Sequence, residues 1–132
     1  MKLGRLLLAD CHPDMLEGIR SLLGPLFEAV VMVADEASLL KAVETFEPHL
    51  TVLDLSLPAS GGENIARRLR KRYPGLKFIV LSVHDELTVV EEILGAGASG
   101  FVLKRAAGTD LLPAVSEVLR GGTYVSPAVG QG

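Results

Sequence analysis

Four short apolar runs in this chain each stop at a polar residue. Leu6-Leu7-Leu8-Ala9 stops at Asp10, and Leu50-Thr51-Val52-Leu53 at Asp54. Phe78-Ile79-Val80-Leu81 stops at Ser82, and Phe101-Val102-Leu103 at Lys104. Near-continuous apolar runs of this length fit strands buried on both faces, as in a parallel sheet. In an open parallel sheet, ligands bind outside the carboxyl ends of the strands. If the four runs share one sheet, two carboxylates, a hydroxyl and an ammonium converge at one edge. That set suits a divalent cation and a phosphoryl group.

The segments between the runs carry helical spacing. Pro13 suits a first helical turn, and Leu16, Ile19, Leu22 and Leu23 follow on one face before Gly24-Pro25. Ala29–Val33 reads as a further strand. Asp35 can cap a helix with Leu39, Leu40, Val43 and Phe46 inside, ended by Pro48. Pro58–Gly62 reads as a loop, and Ile65, Ala66 and Leu69 mark a helix ending before Pro74-Gly75. Val89, Val90, Ile93 and Leu94 form the next face, closed by Gly95-Ala96-Gly97. Leu111, Leu112, Val115, Val118 and Leu119 form the last, ended by Gly121-Gly122. Five strands alternating with five helices imply right-handed crossovers and a parallel sheet covered on both faces. The residues from Ser126 onward are small and rich in breakers, and they read as a frayed end or linker.

A length of 132 residues favours one domain, and 48% hydrophobic residues suffice for its core. A net charge of −3 argues against nucleic acid as a direct partner. One cysteine cannot form an internal disulfide, and no run has the ~18–20 apolar residues of a membrane helix. A cytoplasmic protein with no membrane partner is therefore expected.

Several segments together resemble the receiver domain of two-component response regulators, most strongly the NarL/FixJ type that precedes a LuxR-type helix-turn-helix. They are Leu7-Leu8-Ala9-Asp10-Cys11-His12-Pro13, Leu53-Asp54-Leu55-Ser56-Leu57-Pro58, Val80-Leu81-Ser82-Val83-His84-Asp85 and Gly97-Ala98-Ser99-Gly100-Phe101-Val102-Leu103-Lys104. Leu119-Arg120-Gly121-Gly122-Thr123-Tyr124-Val125-Ser126-Pro127 is also similar. The resemblance implies an α/β, flavodoxin-like, doubly wound sheet of five parallel strands in the order 2-1-3-4-5, with five helices. It implies a receiver domain over residues 1–122. Residues 123–132 then form a C-terminal tail or the start of a linker to an output domain absent from this chain.

By the same resemblance, Asp54 is the phosphoacceptor for a sensor histidine kinase, assisted by Ser82 and Lys104. Mg²⁺ would be held by Asp10, Asp54 and the backbone carbonyl of Ser56. Phe101 would be the switch aromatic, turning inward when Ser82 is drawn toward the phosphoryl group. The chain would thus receive a phosphoryl group rather than turn over a substrate. A homodimer is a possible assembly, and DNA would be reached only through the output domain, which would control transcription.

Two departures stand out. Cys11 occupies the position where the family carries a second acid, and thiolates suit softer metals than Mg²⁺. Weaker Mg²⁺ binding and slower phosphorylation are expected. The alternative reading is a receiver-like interaction module whose phosphorylation Cys11 has impaired. Gly61-Gly62 replaces a more usual polar residue and glycine, making the loop after Asp54 more pliable.

Other chemistries fit less well. A dehalogenase-type phosphatase wants a second Asp two residues beyond its nucleophile, where this chain has Ser56. A flavodoxin wants a Ser/Thr-rich phosphate loop after the first strand. The spacing of Cys11, His12 and His84 matches no standard zinc pattern, so Cys11 is expected to be a passive small residue. Arg67, Arg68, Arg70, Lys71 and Arg72 read as a solvated helix face.

Overall fold

The computed structural model describes residues 2–57 and 64–130. The expected loop at Pro58–Gly62, with its Gly61-Gly62 pair, lies outside them. The strands are β1 (Arg5–Ala9), β2 (Ala29–Val33), β3 (Leu50–Asp54), β4 (Phe78–Ser82), β5 (Gly100–Leu103) and β6 (Tyr124–Val125). The helices are α1 (Pro13–Leu23), α2 (Glu36–Phe46), α3 (Ile65–Arg72), α4 (Leu87–Gly95) and α5 (Ala107–Leu119). All strand pairs are parallel, in the order β2-β1-β3-β4-β5-β6.

Alternation along each strand divides the core in two. Leu7, Ala9, Leu53, Phe78, Val80, Phe101 and Leu103 point to the side covered by α2, α3 and α4. Leu6, Leu8, Leu50, Val52, Ile79, Leu81 and Val102 point to the side covered by α1 and α5. Every residue of β3, β4 and β5 is buried, which explains their unbroken apolar runs. The outer strand β2 is largely half-buried or exposed.

Helix boundaries follow local chemistry. Pro13 opens α1. The Asp35 carboxylate accepts the Ser38 N–H at 2.8 Å and starts α2, while the Asn64 side chain accepts the Arg67 N–H at 2.8 Å and starts α3. Glu47 ends α2 in the left-handed region at φ 50°.

Three expectations need correction. The sheet has six strands, not five. The chain reverses after α5 through Gly121 at φ +95°. Tyr124 N–H then donates to Ser99 O, and Ser126 N–H to Phe101 O. These two bonds attach a strand too short to show any periodicity.

The segment from Ser126 to Gly130 is also packed rather than frayed. Ser126 is 1% exposed. Its Oγ accepts the Leu103 N–H at 3.0 Å and donates to Asp110 Oδ2 at 2.7 Å. Ala128 and Val129 rest on the core, and Gly130 N–H donates to Asp85 O at 2.9 Å.

The basic face of α3 is not wholly solvated. Arg70 lies over the Phe78 ring at 5.1 Å and donates twice to Gly97 O. Arg68 pairs with Glu36 at 2.9 Å. Long stems let such side chains cover apolar surface while their heads find partners.

Candidate functional site

The strand register sets the site. Ala9 lies opposite Leu53, Asp54 opposite Leu81, and Ser82 opposite Leu103. The carboxyl ends of four strands are therefore level, and the residues at or just past those ends are Asp10, Asp54, Ser82 and Lys104.

Asp10 and Asp54 are each 1% exposed. Lys104 Nζ lies 2.9 Å from Asp54 Oδ2 and 3.5 Å from Asp10 Oδ2. Ser56 encloses Asp54 from the other side: its N–H donates to Oδ1 at 3.1 Å and its hydroxyl to Oδ2 at 2.7 Å. Burial pushes the Asp54 carboxyl up, but the Lys104 ammonium and the two Ser56 donors outweigh it. The net effect holds Asp54 below the usual carboxylate value. Asp54 is thus an anion at neutral pH.

Ser82 is buried and lines the same cavity as Asp54, Leu55, Ser56, Val83 and His84. Its Oγ accepts the His84 N–H at 2.9 Å. Phe101 lies elsewhere. It is fully buried in the core beneath α4.

Asp10 Oδ2 is buried and accepts no hydrogen bond; its nearest cation is Lys104 at 3.5 Å. An orphaned carboxylate oxygen beside a second buried carboxylate fits a cation bound through oxygen. Cys11, next to it, is exposed.

His12 is the site residue that sequence reasoning did not place. Its N–H donates to Asp10 Oδ1 at 2.8 Å, curling the chain back over the carboxylate. The ring follows: Nδ1 lies 2.7 Å from Asp10 Oδ1 and 3.4 Å from Asp54 Oδ2. The signal was present in the Asp-x-His order, since Asp side chains commonly accept from the backbone two residues on. His84 does not join it, and faces Glu86 at 3.6 Å.

The family described as "Response regulator receiver domain" matches residues 6–116. The transcriptional regulatory protein DegU of Brevibacillus brevis is 35% identical over 127 residues, covering 95% of this chain and 54% of its own. A LuxR-family two-component response regulator from Aurantimonas sp. SI85-9A1 superposes with a TM-score of 0.85 at 31% identity, over 96% of this chain and 92% of that one. The isolated receiver domain of RcsB from Salmonella enterica serovar Typhimurium, solved with the phosphomimetic BeF₃⁻, gives a TM-score of 0.85 at 26% identity, with 96% of each chain covered. The chain spans 54% to 62% of the length of the first curated relatives it matches. Among the described residues, no helix is long and apolar enough to cross a membrane.

Proposed function

Because this chain belongs to the response regulator receiver domain family, we propose that it is a phosphorylation switch whose acceptor is Asp54. The observation that carries this reading is the buried Asp54 carboxylate, held anionic by Lys104 at 2.9 Å and sharing a cavity with the Ser82 hydroxyl. Asp54 attacks the phosphorus of a kinase phosphohistidine. A P–O bond forms as the P–N bond breaks, and the imidazole leaves with the bonding pair and takes up a proton. Lys104 shifts from the carboxylate to a phosphoryl oxygen, and the Ser82 hydroxyl donates to another.

Receiver domains bind Mg²⁺ through acidic residues, and Asp10, Asp54 and the Ser56 carbonyl would hold it here. When bound, the ion offsets the repulsion between the attacking carboxylate and the phosphoryl oxygens. Cys11 in place of an acid weakens that binding without removing either buried carboxylate. The intact Asp54–Lys104 pair weighs against the alternative of an interaction module that has lost phosphorylation. In the parent protein, the switch is read by a DNA-binding output domain that controls transcription. The kinase partner and a homodimer belong to the same proposal.

Intact mass after acetyl phosphate and Mg²⁺ tests the acceptor. The expected gain is one phosphoryl group in the parent and none in Asp54→Asn. A gain that survives Asp54→Asn would refute the assignment.

A further inference from the structure

The ends of β1 and β3 also bring together a donor set that Mg²⁺ does not need. Ligand atoms of Asp10, Cys11, His12 and Asp54 all lie within 4.8 Å of one another. We propose that these four residues form a mixed oxygen, nitrogen and sulfur site for a zinc-class divalent ion, whose occupancy competes with phosphorylation. The binding itself stands on geometry alone; the competition rests on Asp54 being the phosphoacceptor.

Zinc takes carboxylate oxygen and imidazole nitrogen at about 2.0–2.2 Å and thiolate sulfur at about 2.3 Å, so tetrahedral donors sit roughly 3.3–3.6 Å apart. His12 Nδ1 lies 3.4 Å from Asp54 Oδ2 and 3.9 Å from Cys11 Sγ. The 2.7 Å contact between His12 Nδ1 and Asp10 Oδ1 is shorter than such an edge and requires the ring proton on Nδ1. Metal binding moves that proton to Nε2, and Asp10 still has Oδ2, buried and without a hydrogen bond, to turn to the ion. Cys11 is exposed, with its Sγ already 3.9 Å from His12 Nδ1.

Charge supports the same ion. The two carboxylates and Lys104 leave the cluster one negative charge in excess. A divalent cation bound with loss of the thiol proton brings it to formal neutrality. Sulfur and imidazole favour zinc-class ions, whereas Mg²⁺ favours oxygen and retained water. Adjacent Cys11 and His12 match no sequence spacing for zinc because the remaining ligands come from the ends of β1 and β3. Four protein ligands also close the shell, and a closed site leaves no position for a phosphoryl oxygen.

Cobalt(II) is the spectroscopic probe, and Zn²⁺ affinity is read by competition with a chromophoric chelator. The expected result is a near-ultraviolet thiolate-to-cobalt band in the parent, bleached by Zn²⁺ and missing in Cys11→Ser. Zn²⁺ affinity should fall in Cys11→Ser and His12→Gln by at least the roughly 10–100-fold that loss of an outer-shell partner costs. The acetyl phosphate mass gain in Mg²⁺ should then disappear on adding equimolar Zn²⁺. Absence of the cobalt band, or equal Zn²⁺ affinity in parent and Cys11→Ser, overturns the site. A mass gain indifferent to bound Zn²⁺ overturns the competition. A cobalt band in a parent that accepts no phosphoryl group in Mg²⁺ alone supports the metal site and refutes the phosphoacceptor reading instead.

Discussion

Two buried carboxylates share one ammonium at this site, and that imbalance governs what each residue can do. Lys104 keeps Asp54 ionised against its burial. Lys104→Met leaves two desolvated carboxylates side by side, so the Asp54 carboxyl must rise, as a ¹³C titration of its carboxyl carbon will register. Removing one partner of a buried ion pair costs about 3 kcal/mol at neutral pH, the low end for such losses because Lys104 is partly exposed. The sign with pH follows from the lowered native value. In the parent, Asp54 contributes stability above the ordinary carboxylate value, and this is lost as pH falls through the lowered one. The variant's deficit should therefore be greatest near neutrality and shrink on acidification, measured as urea midpoints across pH. A second prediction concerns the neighbour of Asp10. Cys11→Asp adds an oxygen donor where the thiol stands, so Mg²⁺ affinity, read through Mg²⁺-dependent beryllofluoride binding, should increase. Parent affinity already equal to that of Cys11→Asp would show that the thiol costs the site nothing.

At the scale of elements, the four strand ends were legible in advance and the last strand was not. Asp10, Asp54, Ser82 and Lys104 could be placed because parallel strands buried on both faces leave few polar residues, and each marks where its run stops. Tyr124–Val125 is two residues long, and the side-chain period of a strand cannot be read over one repeat. What fixes β6 is instead a buried polar side chain, since Ser126 Oγ joins the Leu103 amide to Asp110. Composition suggested the opposite, because Ser and Pro usually mark exposed turns. His12 escaped for a related reason: its place depends on a two-residue backbone curl, not on periodicity. Ser126→Ala tests the anchoring of β6. It leaves the Leu103 N–H buried without an acceptor, which costs about 1–3 kcal/mol. The urea midpoint should drop accordingly, with faster hydrogen exchange at the Leu103 amide. An unchanged midpoint would mean that β6 is held by its backbone bonds alone.

Across the whole molecule, the question is how a change at Asp54 reaches a distant surface. Phe101 is fully buried in this structure. The movable contacts lie in the segment between β4 and α4. Ser82 Oγ holds the His84 amide at 2.9 Å, and a Ser82 hydroxyl drawn toward a phosphoryl group must turn away from it. Val83 and Leu87 on this stretch are 68% and 56% exposed, so little packing resists the movement. Asp85 ties the stretch to two other places. Its backbone oxygen accepts the Gly130 N–H at 2.9 Å, and its carboxylate accepts from Arg105 Nη2 at 3.1 Å. Gly130 is the last of the described residues. A two-state rearrangement of residues 83–86 would therefore be felt at Gly130, as a local charge event with a remote readout requires. Amide ¹H–¹⁵N spectra with Mg²⁺ and beryllofluoride check this. The amides of His84, Asp85 and Gly130 should shift together, and all three shifts should vanish in Asp54→Asn. A Gly130 amide that stays in place while His84 moves would sever the route, leaving the exposed α4 face as the surface a partner reads.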